Sequence, residues 1–141
     1  MPVAPELKVL FVAGFGPLIR EPAESKRFYV DTLGLPLEPM PHDETYYHGE
    51  KLDGVKHFAL WPLTAAAQSC FGATDWPKDV PEPHSWLEFD VEDVASATQV
   101  LKDKGYALLV EAREEPWGQT VSRMLSPEGI LVGITFTPWL R

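Results

Sequence analysis

The 141 residues carry 21 acids against 12 bases, a formal net charge of −9, with 45% hydrophobic and 23% charged residues. That length and balance fit one soluble globular domain with a real core, and the negative field repels nucleic-acid phosphates while drawing cations. The single cysteine, Cys70, excludes an intrachain disulfide and every cysteine-based zinc cluster. No apolar run approaches the ~20 residues of a membrane span, and Met1 to Glu6 carries no basic-then-apolar leader. With a free thiol as well, a cytoplasmic protein is expected, with neither nucleic acid nor membrane as partner.

Along the chain, Lys8 to Ala13 is an apolar, β-branched run bounded by Gly14 and Gly16, a strand with a bulge or bend that Leu18-Ile19-Arg20 continues. Glu21 stands at a helix N-cap, Pro22 at the first helical position and Glu24 in the first turn, and Gly34 is the left-handed stop. Leu35 to Met40 reads as a strand, an edge one given Pro36 and Pro39. Thr45 to His48 is a short strand, and Asp53-Gly54 marks a hairpin turn. Val55 to Trp61 alternates, with His57, Ala59 and Trp61 on one face and Phe58 and Leu60 on the other. Thr64 to Pro83 breaks the pattern. Ala65 to Phe71 has room for one or two helical turns, and the proline-rich, acidic stretch from Asp75 reads as a linker.

The pattern then returns. Trp86 to Val91 is a strand, Asp93 an N-cap, and Val94, Ala97, Val100 and Leu101 form the apolar face of a helix stopped by Gly105. Tyr106 to Val110 is a strand. Glu114-Glu115-Pro116-Trp117-Gly118-Gln119 is a loop, and the strand that follows sets Val121, Arg123 and Leu125 on one face against Ser122 and Met124 on the other. Ile130 to Thr137 is the last strand. Each half therefore reads strand, helix, three strands, and laying Glu21 over Asp93 gives a repeat about 72 residues long. The expected fold class is α+β: two tandem βαβββ modules, about 6–63 and 84–141, whose curved sheets surround a cleft, joined by a linker at about 64–83.

Three motifs in this order carry a resemblance: Ser25-Lys26-Arg27-Phe28-Tyr29 leading to Leu33-Gly34-Leu35, Phe89-Asp90-Val91-Glu92-Asp93-Val94, and Ser126-Pro127-Glu128-Gly129. The chain resembles the vicinal oxygen chelate superfamily, which includes glyoxalase I, extradiol dioxygenases, and fosfomycin- and bleomycin-resistance proteins. The resemblance implies paired βαβββ modules and a homodimer, but fold alone does not give function. Enzymes of the superfamily take metal ligands, usually His or Glu, from the first and last strands of each module. Here those positions fall near Gly14 to Gly16, at His57, at Trp86 (flanked by His84 and Glu88), and at Gly133. At least two of the four have no ligating side chain, and a catalytic divalent ion needs about three protein ligands. No cofactor is therefore expected; a divalent metal on His57, His84 and Glu88 is the alternative.

Without a metal, a cavity remains. The acidic charge and the Glu115-Pro116-Trp117-Gly118 turn are similar to the bleomycin-resistance members, which bind a bulky cationic drug between aromatics. Flat rings desolvate and stack on a planar ligand, and acids at the rim speed capture of a cation. The candidate ligand-binding residues are Trp117, Trp86, Trp61, Phe136, Tyr46 and His57, with Glu88 and Glu115, and also Glu111 and Glu114, as charge partners. The expected function is a metal-free, bleomycin-resistance-type protein that sequesters a cationic or aromatic compound. The competing expectation is a glyoxalase-type lyase or isomerase, or a dioxygenase, with a non-standard or metal-free site.

Overall fold

In the computed structural model, which describes residues 7–141, the first apolar run becomes the long strand β1 (Val9–Ile19). Met1–Glu6, the stretch expected to lack a leader, lies outside the described residues. Helix α1 (Pro22–Lys26) starts at Glu21 with Pro22 in its first turn, and runs on through a wider π-helical turn at Arg27–Thr32. The chain then forms β2 (Glu38–Met40), β3 (Asp43–Gly49), β4 (Phe58–Pro62) and α2 (Leu63–Phe71). The second module repeats the order with β5 (Ser85–Val91), α3 (Val94–Asp103), β6 (Val110–Glu114), β7 (Thr120–Leu125) and β8 (Leu131–Phe136), and a short 3-10 turn follows at Pro138–Leu140. The Asp93 carboxylate caps α3 by accepting from the Ser96 amide, as its position predicts. Gly34 and Gly105 have φ of +71° and +91°, the left-handed conformation that ends each helix cheaply only for glycine.

The eight strands form one curved, unclosed sheet in the order β2-β3-β4-β1-β5-β8-β7-β6. Each module closes on itself with a parallel pair, β1 on β4 and β5 on β8, and the modules join through antiparallel β1 and β5. Phe15 pairs with Leu87, its counterpart in the repeat, so the local two-fold passes between them. The fold class is the α+β one expected. The strands β2 and β4 start three residues later than the sequence reading, at Glu38 and Phe58, and a third strand is displaced. The strand expected at Tyr106 to Val110 starts at Val110 instead, because pairing with β7 fixes it (Val110 opposite Arg123, Glu114 opposite Thr120). As an edge strand it tolerates charges that hid it from an apolarity search. The helical turns for which Ala65 to Phe71 has room form α2, whose Ala66, Ala67 and Cys70 are buried against Trp61, Trp86 and Leu131.

Period-two alternation sorts side chains to two sheet faces. Phe58 and Leu60 pack with Ile19 and Leu37, against Tyr29 and Val30 from the first helix. Met124 and Ile134 pack with Val94, Ala97 and Leu101 of α3. The opposite face carries the cavity. Between β1 and β4 the backbones approach so closely that a Cβ at Gly16 would strike the Ala59 carbonyl oxygen and lie 3.0 Å from Trp86 Nε1. Backbone cannot yield there as a side chain can, so Gly16→Ala should cost about 2–3 kcal/mol. Urea denaturation should show a lower midpoint at unchanged slope; an unchanged midpoint would mean that the two strands part freely.

Candidate functional site

The site is built from β5. Trp86, Glu88 and Asp90 alternate toward the concave face, and both Trp86 and Glu88 reach across a glycine of the neighbouring strand to a group on the strand beyond. The Trp86 indole passes over Gly14 and Gly16 of β1, with 3.0 Å from its ring edge to a Cβ placed on Gly14, and its Nε1 donates to the Ala59 carbonyl of β4 at 3.1 Å. On the other side, Glu88 pairs with Gly133 of β8, where an added Cβ would lie 2.8 Å from its Cγ. The Glu88 carboxylate accepts from Arg123 Nη1 of β7 at 3.0 Å and from Gln119 Nε2 at 3.0 Å. The absent side chains at 14, 16 and 133 are thus the space these two occupy.

Around this floor lies a cavity of about 1230 Å³. One wall is a chain of rings: Tyr46 beside His48, His48 beside His57 with centroids 5.8 Å apart, His57 beside Trp86 at 6.1 Å, and Trp86 beside Trp61 at 6.1 Å. The Arg123 guanidinium, 1% exposed, stacks over Trp61 at 4.8 Å. The hairpin between β6 and β7 forms the rim. Glu115 N–H donates to Gln119 O at 2.7 Å, Gly118 takes φ +92°, and Trp117, half exposed, donates Nε1 to Gln119 Oε1 at 3.0 Å. Gln119 Nε2 also donates to Thr137 Oγ1, which donates to buried Asp90, where Arg141 ends the chain at 3.0 Å. A second latch ties α2 to the hairpin: Ser69 Oγ and Arg113 Nη2 both donate to buried Glu115, at 3.0 and 2.9 Å.

Of the eight candidates, Trp61, Trp86, Trp117, Tyr46, His57, Glu88 and Glu115 all line the cavity. Phe136 does not. On β8 it shares a face with Ile134, packs on the α3 side and lies under the Arg141 guanidinium at 4.7 Å, so it is corrected to a core-edge residue. Glu114 lines the cavity, whereas Glu111 pairs with Lys102 at 2.8 Å and does not. Sequence reasoning passed over Arg123, Gln119, Arg113, Ser69 and Trp139. For Arg123 the signal was there, an arginine on the inward face of β7 beside Val121; for Gln119 and Trp139 no local pattern pointed inward.

The residues do not fit the metal alternative. β5 starts at Ser85, so His84 falls outside the strand; it is exposed and absent from the cavity wall. Among the described residues no group of three or more His, Cys, Asp or Glu side chains is placed to hold a metal ion, and a fixed guanidinium sits 3.0 Å from Glu88, where a cation would have to compete with it. Burial pushes the Cys70 thiol up, and that of the Tyr46 phenol likewise, so both stay protonated and neutral at pH 7.

The Glyoxalase/Bleomycin resistance protein/Dioxygenase superfamily model matches residues 18–134, and the chain belongs to that family. Its structure is similar to a glyoxalase/bleomycin resistance protein/dioxygenase superfamily member from Vibrio splendidus, 20% identical with a TM-score of 0.57 over 89% of this chain and 97% of that one. It is also similar to a Streptomyces coelicolor methylmalonyl-CoA epimerase variant in complex with 2-nitronate-propionyl-CoA (17%, TM-score 0.58, 93% and 99%). A hypothetical protein from Bacillus halodurans is a third (17%, TM-score 0.58, 89% and 92%). At such identities the likeness is one of fold. No curated protein matches the chain.

Two predictions follow from the floor. Removing one partner of a buried ion pair strands the other charge, so Arg123→Met should cost about 3–5 kcal/mol in chemical denaturation, and the double change with Glu88→Met should recover most of it. A double variant as unstable as the single would show that the pair is not the coupled unit. Burial holds the His57 imidazole below its ordinary value, His48 adding to that against the pull of Glu88 and Glu50. The unfolded chain then takes up the proton at higher pH than the folded one. Stability is full above about pH 6.5 and falls as pH drops from there through the lowered folded value. The fall in Tm between pH 7.5 and 5 should be smaller in His57→Gln; an equal fall would place the sensitivity on other groups.

Proposed function

We propose that the protein binds a planar aromatic cation without a metal, in the manner of a sequestering protein of bleomycin-resistance type. The observation that carries this reading is the cavity wall itself. Tyr46, His57, Trp61 and Trp86 give it continuous aromatic surface, Trp117 and Trp139 stand half-exposed at the mouth, and six carboxylates outnumber three basic side chains. Rings of this kind gain from stacking and from cation–π attraction, and the excess negative charge concentrates cations at the mouth. Among the described residues no cluster of three or more His, Cys, Asp or Glu side chains that could hold a metal ion stands beside the floor.

A second reading draws on one observation. His57 lines the cavity together with Glu88, and burial lowers the proton affinity of its imidazole while the negative charge of Glu88 opposes that shift. A metal-independent acid–base enzyme of lyase or isomerase type would use such a pair, and a methylmalonyl-CoA epimerase shares the fold. It requires proton exchange at a ligand carbon, which would appear as deuterium incorporation lost in His57→Gln. We also propose a homodimer: Val12 and Phe15, 44% and 43% exposed, form an apolar groove with Val55 away from the cavity.

Four of the five tryptophans line the cavity, so titration with 1-naphthylmethylamine, a flat aromatic cation, should quench intrinsic fluorescence. Binding should weaken with salt and by about two- to tenfold in Trp117→Ala. Absence of quenching by this and related aromatic cations would remove the reading. So would purified protein carrying near-stoichiometric Zn, Ni, Mn or Fe that is lost in His57→Ala.

A further inference from the structure

The sequestration reading specifies a ring and a positive charge, and the floor adds a third requirement. Among the described residues, the buried side-chain polar atoms without a hydrogen-bond partner are His57 Nδ1 and Arg123 Nε, and both residues line the cavity. His57 Nδ1 has the Glu50 carboxylate 3.7 Å away. Arg123 has no such substitute. It is 1% exposed, its Nη1 goes to Glu88, and its Nε–H edge is left without a partner.

Neutralising Glu88 does not account for this. A buried ion pair is often no more stable than well-packed apolar residues of the same volume, and an unsatisfied buried donor adds a penalty of its own. Arg123 is also held rigidly, with Trp61 under its plane at 4.8 Å and Glu88 fixing one nitrogen. A guanidinium is a planar fork of five N–H donors that never deprotonates in a protein. Fixed in place with its Nε–H buried and unpartnered, it is a preorganised hydrogen-bond donor set in the cavity wall.

We propose that Arg123 is a ligand-binding residue whose free edge receives a neutral, carbonyl-type oxygen of the planar cation, so that the ligand carries its acceptor and its positive charge at opposite ends. This rests on the reading of the cavity as an aromatic-cation site. A neutral acceptor is favoured over a carboxylate because Glu88 already lies 3.0 Å from the guanidinium. A second carboxylate beside it would meet like charge in a partly desolvated site. The ring then lies against the aromatic wall of the cavity, and the cationic end returns to the acids of the mouth.

A matched series of probes tests this by fluorescence titration: 1-naphthylmethylamine, its 4-carboxamide and its 4-carboxylate, against wild type, Arg123→Lys and the double variant Glu88→Gln with Arg123→Gln. Arg123→Lys keeps the charge and loses the planar fork. The double variant removes both charges together, so no buried charge is left alone and folding is protected. The carboxamide should bind wild type roughly ten- to a hundredfold tighter than the parent amine, the range for one hydrogen bond to a charged group. That advantage should disappear in both variants, read as the ratio of carboxamide to amine affinity within each variant, so that any change in the amine's own binding cancels. An amide advantage that survives both variants, or none in wild type while the amine still binds, overturns the assignment to Arg123 and leaves the cavity reading intact. A carboxylate that binds best overturns the neutral class. If no member binds, the cavity reading falls and this inference falls with it.

Discussion

The structure turns on two side chains of one strand that reach across their neighbours. Trp86 crosses β1 to the Ala59 carbonyl, and Glu88 crosses β8 to Arg123. Neither reach is possible unless the strand being crossed has no side chain there, which is why Gly14, Gly16 and Gly133 lie beneath them. Each reach joins three strands through one hydrogen-bonded contact. Together they bind β4, β1, β5, β8 and β7 into a single floor. The identity of the groups at the base of the cavity follows from that arrangement.

The same fact explains how much could be read in advance. The modules, their helix caps and stops, and the alternation of β4 and β7 are local properties of sequence, set by spacing, by Asp93 and Pro22, and by Gly34 and Gly105. They were legible because neighbours along the chain decide them. The glycines at 14, 16 and 133 were legible only as missing ligands. Their positive role depends on residues distant in sequence, Trp86 for the first two and Glu88 for the third, and no local pattern states it. Arg123 lay on the inward face that alternation assigned, but its partner is 35 residues away. Phe136 was misplaced for the opposite reason. Aromatic character singled it out, while the period-two rule that puts it with Ile134 was the better guide.

Charge is distributed in two layers, and composition reports only one. The −9 of the whole chain describes the surface and the mouth, where solvent screens each carboxylate and the field acts mainly on encounter. The floor is electrically balanced: Glu88 against Arg123, with Glu115 against Arg113 at the side and Asp90 against Arg141 behind. Each buried carboxylate has its own arginine, as low-dielectric burial requires. A ligand of the kind proposed would meet attraction at the entrance and hydrogen-bond geometry at the base, and these would select for different parts of the same molecule.

That balance bears on what the floor can do beyond holding a ligand. A guanidinium is a donor-only group, so Arg123 can orient an acceptor and stabilise charge on it. Tyr46 is pushed away from ionisation by burial and by Glu88. His57 is the group on the floor whose charge state lies within reach of physiological pH, and its own burial holds it neutral. In the proposed readings, orientation and proton transfer would fall to different residues, Arg123 on β7 for the first and His57, just before β4, for the second. A site that holds its ligand equally well when His57 is replaced uses that residue as an ionisable neighbour, and one that loses proton exchange while still holding the ligand uses it in catalysis.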